Sequence, residues 1–383
     1  MFKQLNLKAL MTIQSLNQKD HLLLTLEYPP FLGGVGIYLF NLFNAGEYQV
    51  LVNGSGPNQI PFFYKYFWPR WLKIFFYLWR KCQTFKVLHI SHVLPLGYVA
   101  YLLKILARKK YVIYLHGLDF NLLKSGKWKA FWGQKILKSA SLIVCNSQFL
   151  KNQVAEFLKT SAPEIKVIYP APRRELVTLS QQELNQGRVA SLRAKYQIAA
   201  DDKVILSVGR LVERKGQGLL IEALGEQWPE NVKCFIRGIG PEDVNLRRLI
   251  AKYHLEKQVF LLNEVATPEE LSAWWSLADL FVLPTLELGN DVEGFGIVFI
   301  EAGLYEKAVV GGQGAGVAEA VRHNETGILL ENPRDLANLR ENVLILLNND
   351  EARQRLGAAN HVWSQKFIYS ENYLWKTLPD NLK

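Results

Sequence analysis

The chain has 383 residues, room for about two domains of roughly 150 residues each, and with 49% hydrophobic and 21% charged residues it is not a disordered, collagenous or coiled-coil chain. Lys and Arg outnumber Asp and Glu by 45 to 35, giving a formal charge of +10 and a pI near 9.3. That balance calls for an acidic partner: nucleic acid, an anionic membrane or a phosphorylated substrate.

The predicted elements begin with a strand at 21–26 and a helix at 35–44. Strands follow at 49–52, 86–90, 111–115, 142–145 and 166–168, with apolar helical stretches at 96–107, 128–139 and 148–159. This is the rhythm of a doubly wound parallel sheet. After Tyr169-Pro170-Ala171-Pro172 the chain turns polar as far as Asp202, which reads as an interdomain boundary. The rhythm restarts with strands at 203–208, 232–236, 258–262, 280–283, 308–310 and 327–330. Helices at 217–224, 241–254, 268–277, 295–305 and 315–322 fill the gaps, and 332–348 and 351–378 read as closing helices. The expected class is α/β, with two Rossmann-like domains facing across a cleft. Residues 1–172 are assigned to the first domain, 173–200 to a linker, 201–355 to the second domain and 356–383 to a C-terminal helical segment.

Cys82, Cys145 and Cys234 are far apart and have no metal-type spacing with His. No apolar run of about 18 residues occurs, and the N-terminus has no small-residue cleavage site. A cytoplasmic chain in a reducing compartment, without a membrane span or zinc site, is expected.

Three segments can carry chemistry. Gly33-Gly34-Val35-Gly36 opens the first predicted helix, where glycines let a backbone approach a phosphate and free N–H groups face outward. Taken alone it is equally a structural turn. Gly209-Arg210-Leu211-Val212-Glu213-Arg214-Lys215-Gly216 brings three cations between a strand and a helix. A forked guanidinium and a point-charge ammonium suit a diphosphate, and a solvated charged loop is the plain alternative. In Glu293-Gly294-Phe295-Gly296 and on to Glu301, Glu293 falls in the loop before a helix and Glu301 on its second turn, among apolar neighbours. A carboxylate there needs a hydrogen-bond donor, and a ribose diol is one.

In this order the segments resemble glycosyltransferase family 4, whose members have the two-domain GT-B fold. The resemblance also rests on His116-Gly117, Gly314–Glu319 and Thr326-Gly327 and runs nearly the length of the chain. It implies a retaining enzyme that needs no metal or other cofactor and uses a UDP- or GDP-sugar, in keeping with the absence of an Asp-x-Asp motif. Arg210 and Lys215 match the pair that holds the donor diphosphate. Glu301 matches the carboxylate on the ribose, Glu293 the one beside the transferred sugar, His116 the histidine near the reaction centre, and Gly33 and Gly34 the phosphate loop. His92, Asp119, Asp291, Phe295 and Gly296 are further candidates for sugar or acceptor contacts. The sequence departs from the family at Pro170-Ala171-Pro172-Arg173-Arg174, where Pro-Asn-Gly-Val-Asp is usual, and at Glu287, Asn290 and Asp291. The resemblance also leads one to expect the C-terminal helices to pack back on the first domain.

One segment is left over. From Phe62 to Lys81 the chain is dense in aromatic residues, and on a helical wheel Lys65, Arg70, Lys73, Arg80 and Lys81 fall opposite Phe67, Trp68, Trp71, Leu72, Ile74, Phe75, Leu78 and Trp79. Pro69 suits the first turn. The pattern is that of a helix lying on an anionic membrane, of a helix packed on its own sheet, or, less well, of a single-stranded nucleic-acid platform. The expected function is a peripheral glycosyltransferase on the inner face of the cell membrane, acting on a lipid-linked or envelope saccharide, with no nucleic-acid partner. The alternatives are a nucleotide-sugar epimerase on the same fold and a basic RNA-binding or scaffold protein.

Overall fold

The computed structural model describes residues 19–29, 33–43, 47–55, 59–66, 68–159, 162–182, 186–289, 291–314 and 316–383. Phe67, Asn290, Asn44 at the end of the first predicted helix and Ala315 at the start of another lie outside them. The contacts divide the chain into two units, Met1–Tyr169 with Tyr369–Lys383, and Pro170–Ile368.

The first unit is a seven-stranded parallel sheet in the order β3-β2-β1-β4-β5-β6-β7. Its strands are β1 (His21–Thr25), β2 (Gln49–Asn53), β3 (Gln59–Ile60), β4 (Val87–Ile90), β5 (Lys110–Leu115), β6 (Leu142–Cys145) and β7 (Ile165–Val167). Its helices are α1 (Gly34–Leu42), α2 (Leu72–Arg80), α3 (Leu96–Ala107), α4 (Leu118–Lys124), α5 (Lys127–Ser139) and α6 (Gln148–Leu158). The central strands read as continuous apolar runs because both faces are covered. Leu22 and Leu24 of β1 point into one layer with Leu88, Ile113, Leu103 and Ile136, while Leu23 points into the other with Tyr38, Leu39, Val112 and Tyr114.

The second unit is a six-stranded parallel sheet in the order β10-β9-β8-β11-β12-β13. Its strands are β8 (Lys203–Val208), β9 (Val232–Arg237), β10 (Val259–Leu262), β11 (Leu280–Leu283), β12 (Ala308–Gly312) and β13 (Ile328–Leu330). Its helices are α7 (Arg174–Ser180), α8 (Gln186–Lys195), α9 (Gln217–Leu224), α10 (Asp243–Lys252), α11 (Pro268–Leu277), α12 (Ile297–Leu304), α13 (Val317–Ala320), α14 (Leu336–Asn348) and α15 (Asp350–Ser364). A last helix, α16 (Tyr373–Thr377), returns to the first unit, where Leu374, Leu378 and Leu382 are buried beside Leu23 and Val112. Both sheets have the doubly wound order that reverses beside the first strand, between β1 and β4 and between β8 and β11.

Three expectations change. The polar stretch assigned to a linker forms α7 and α8 within the second unit: the Tyr305 hydroxyl donates to the Leu176 carbonyl at 3.3 Å, and the Tyr196 ring packs on Phe235, Phe260 and Trp274. With Leu176 and Ile198 also buried, the few scattered anchors in so polar a stretch do not show as a periodic face. The last predicted helix, 351–378, is two helices, and the chain passes between units at Ile368 and Tyr369 rather than near residue 356.

The third change concerns the aromatic segment. Pro69 precedes α2 instead of opening it, and Ile74, Phe75 and Leu78 are 1%, 6% and 0% exposed in the core under α3. The Trp71 ring is stacked on Tyr98 at 5.4 Å. The apolar side of α2 is therefore its sheet-packing side, which any helix of this architecture needs, and not a membrane face. Among the described residues no helix is long and apolar enough to cross a membrane.

Candidate functional site

In the second unit the residues gather at the carboxyl end of β8. Gly209 and Arg210 leave the sheet, and Glu213–Lys215 form a 3-10 turn that ends on Gly216 at φ 67°. A Cβ at Gly216 would lie 2.1 Å from the Pro284 carbonyl oxygen, so only glycine fits this close crossing between the loops after β8 and β11. The turn points Arg214 and Lys215 inward, to 6% and 8% exposure.

Both meet Glu293. Its Oε2 accepts from the Lys215 ammonium at 2.6 Å and from the Arg214 guanidinium, and the Arg214 Nε stands 2.9 Å from Asp291. Burial alone would raise the Glu293 carboxyl, but the charges and hydrogen bonds of Lys215 and Arg214 outweigh it and hold the group at about 2. Burial pulls Lys215 below its ordinary range; Glu293 opposes this, and the charges of Arg214 and then Arg210 add to it. Arg210 itself is exposed. In the sequence Arg214 is one of three cations in this loop and nothing in the loop's composition distinguishes it. Its signal was its place directly before Lys215 in a turn too short to be read as helix.

Gly296, at φ 83°, starts α12, which carries Glu301 on its second turn. Glu301 is 0% exposed, and among the described residues no side chain hydrogen-bonds to either carboxylate oxygen. The Arg173 Nε lies 3.5 Å away. Burial pushes the Glu301 carboxyl up, and Arg173, through its charge and its backbone N–H, works against that. Arg173 belongs to the segment that departs from the family pattern; in this chain that departure places a guanidinium on Glu301. Phe295, expected as a sugar contact, is 2% exposed with its ring against Phe367. This is a correction: the ring is core.

In the first unit, Gly33 caps α1 and Gly34 is its exposed first residue. The N–H groups of that first turn have no intrahelical acceptor. His92 follows β4 and His116 follows β5, with ring centroids 6.3 Å apart. The Ser91 hydroxyl lies 2.7 Å from His92 Nδ1, and Glu27 is 4.0 Å from Nε2. Burial lowers His92 to about 4; burial and then the His92 charge lower His116 to about 3, so both are neutral near pH 7. His116 Nε2 is buried without a hydrogen-bond partner among the described residues. Asp119 Oδ1 accepts the His116 backbone N–H at 2.9 Å, and burial lifts its carboxyl to about 7 despite four backbone N–H donors. Asp119 thus fixes the loop carrying His116 rather than its ring. Among the described residues no group of three or more His, Cys, Asp or Glu side chains could hold a metal ion.

Two family models match the chain in succession, Glycosyltransferase Family 4 over residues 32–171 and Glycosyl transferases group 1 over residues 189–363. The chain is 34% identical over 197 residues to a GDP-mannose-dependent alpha-(1-6)-phosphatidylinositol monomannoside mannosyltransferase of Mycobacterium tuberculosis, a match that takes in 50% of this chain and 49% of that one. It therefore spans about half the length of that curated relative. It is 26% identical over 361 residues to an uncharacterized glycosyltransferase of Methanocaldococcus jannaschii, covering 90% and 93% of the two chains. Among solved structures, Anabaena HepE in complex with UDP superposes with a TM-score of 0.76 at 20% identity, over 93% of this chain and 97% of that one. WaaG, a glycosyltransferase involved in lipopolysaccharide biosynthesis, gives 0.68 at 17%, over 92% and 96%. At these identities the structural likeness shows the fold.

Proposed function

The chain belongs to the family 4 glycosyltransferases, enzymes with the GT-B fold, and on that premise we propose that it is a retaining hexosyltransferase that moves a sugar from a UDP- or GDP-sugar to a lipid-linked or other envelope saccharide presented at a membrane. The second unit is assigned the donor. Arg210 and Lys215 hold the diphosphate, where negative charge builds up as the sugar leaves; Glu301 accepts the ribose hydroxyls, and Glu293, steadied by Arg214 and Lys215, is beside the transferred sugar with Asp291 and Gly296. The first unit is assigned the acceptor, through His92, His116 and Asp119, with the amides of Gly33 and Gly34 available to an anionic group. Both histidines are neutral near pH 7, so either can accept a hydrogen bond from a sugar hydroxyl.

The observation that carries this reading is Glu301: a fully buried carboxylate with no side-chain hydrogen bond, on the helix whose preceding loop supplies Glu293. Such a group is costly unless donors reach it, and a diol supplies two.

A thermal-shift screen of UDP- and GDP-sugars tests it. A donor at about 100 times its Kd should add roughly 2.7 kcal/mol of stability, and only sugars of the right nucleotide should do so. Product analysis with and without acceptor then separates transfer from epimerisation of the donor. A chain that no nucleotide sugar stabilises would overturn the reading.

A further inference from the structure

The sheet of the first unit reverses its order between β1 and β4, and doubly wound sheets take their ligands in the crevice outside such a reversal. Two side chains stand there. Glu27 lies just beyond Thr25, the last residue of β1, and His92 just beyond Ile90, the last of β4. The strand ends hold both in place. The buried Thr25 hydroxyl donates to the Glu27 carbonyl at 2.8 Å and accepts the Glu27 N–H at 3.1 Å, which fixes the backbone as it leaves β1. The Leu26 N–H donates to Ser91 Oγ at 3.4 Å, and the Ser91 N–H to the Leu24 carbonyl at 3.3 Å, so the two ends are tied to each other.

Ser91 also decides which nitrogen of His92 carries the proton. Its hydroxyl is buried and already accepts from Leu26; among the described residues the acceptor left for its own proton is His92 Nδ1, at 2.7 Å. Burial keeps the ring neutral near pH 7, so its one proton sits on Nε2. That nitrogen faces Glu27 Oε1 across 4.0 Å. The distance is too long for a hydrogen bond, and with a neutral ring it is no ion pair. One hydroxyl oxygen, about 2.8 Å from each side, spans it. Such a hydroxyl accepts from His92 and donates to Glu27, which uses both of its functions. The two side chains are 17% and 31% exposed, enough for a ligand to reach them.

We propose that Glu27 and His92 together hold one hydroxyl of the acceptor saccharide, with His92 Nε2 donating to it and Glu27 accepting from it. This rests on the reading of the first unit as the acceptor domain and narrows the part His92 plays there to that of a donor. Glu27 then determines specificity in two ways. An acceptor without that hydroxyl leaves a carboxylate and an N–H facing each other unfilled. An anionic group is repelled by the carboxylate, so this subsite takes a neutral hydroxyl and not a phosphate.

The test uses the full chain with isotope-labelled histidine, read by NMR at neutral pH. The probes are the methyl α-glycosides of mannose, glucose and N-acetylglucosamine, and inorganic phosphate. His92 should show its proton on Nε2, and Ser91→Ala should lose that preference. At least one glycoside should move the His92 Nε2 signal on titration, and phosphate should not. Glu27→Ala should weaken binding of that glycoside roughly tenfold or more, and Glu27→Gln, whose amide oxygen still accepts, by less. Both Glu27 variants should keep a cooperative melt. A His92 proton on Nδ1, a His92 signal that no glycoside moves, or undiminished glycoside binding by Glu27→Ala would each overturn the proposal. A chain that no nucleotide sugar stabilises, with His92 and Glu27 behaving as stated, would instead strike the transferase reading and leave the hydroxyl subsite standing.

Discussion

Arg173 and Glu301 form an ion pair across 3.5 Å, with the carboxylate wholly buried and the guanidinium half-buried. The pair couples donor binding to pH. Glu301 is useful to ribose hydroxyls as a carboxylate, and burial pushes it toward the neutral acid. Arg173→Ala removes the main opposing charge, so its carboxyl should titrate at higher pH. The donor KM should then rise on acidification at a pH where wild type is still flat, while Arg173→Lys restores most of the wild-type profile. Glu301→Gln should raise the donor KM at every pH tested. Steady-state KM profiles between pH 5.5 and 8 decide this; identical profiles for Arg173→Ala and wild type would refute the coupling.

Lys215 and Arg210 should separate activity from stability. Each Ala variant should lower turnover about 10²-fold if both cations stabilise the departing diphosphate. Only Lys215→Ala should also be strongly destabilised, by about 3–5 kcal/mol, because it withdraws a buried partner from Glu293. Arg210 is exposed, and its removal should leave the melt nearly unchanged. Turnover and urea denaturation measured on the same preparations check both arms.

The first unit should be acid-sensitive. Burial lowers His21 and His92 to about 4 and His116 to about 3, and it takes His89, bonded to His21 at 2.8 Å, well below its ordinary value. A histidine depressed in the folded state contributes stability above the unfolded value of about 6.5 and loses it as pH falls. Asp119, raised to about 7, has the opposite sign: its contribution is full below about pH 4 and lost as pH rises through 7. Four histidines against one carboxyl give a net loss of several kcal/mol between pH 6.5 and 4, at about 1.4 kcal/mol per pKa unit. Asp119→Asn removes the offset and should make the loss steeper. Urea midpoints at pH 7.5, 6 and 5 would show it, and a flat series would disprove it.

Phe75→Ser should destabilise the first unit by about 3–5 kcal/mol, since it empties a core site 6% exposed and buries a hydroxyl. Phe76→Ser, next in sequence but 48% exposed, should shift stability by less than about 0.5 kcal/mol. Equal melting curves for the two would restore a membrane-facing α2.

Most of the fold was legible in the sequence because both sheets are buried on each side and their strands stand out as apolar runs. Missed were β3, two residues long, and the packing of α7 and α8, whose anchors, among them Leu176, Tyr196 and Ile198, are few and scattered. In the candidate site of the second unit, Glu293, Glu301 and Lys215 could be singled out by the family resemblance, whereas the pairing of Arg214 with Glu293 could not. That contact joins residues 79 positions apart and exists only because the turn after β8 closes against the loop after β11. The wheel puts Ile74, Phe75 and Leu78 together on the side that proves buried, but it puts Trp68 and Trp79 there too, which are 81% and 39% exposed, and it cannot say which apolar surface a face meets; a sheet and a bilayer ask for the same pattern.

The last fifteen or so residues, which bury Leu374, Leu378 and Leu382 in the first unit, also set an order of events during synthesis. At about 5–20 residues per second, the ribosome needs tens of seconds to make residues 170–368 before α16 emerges. Through that interval the Leu23 and Val112 layer of the first unit, already packed with Tyr38 and Leu39, lacks the part that Leu374, Leu378 and Leu382 supply, and by its end everything the second unit requires has been made. The unit translated first is thus the one finished last.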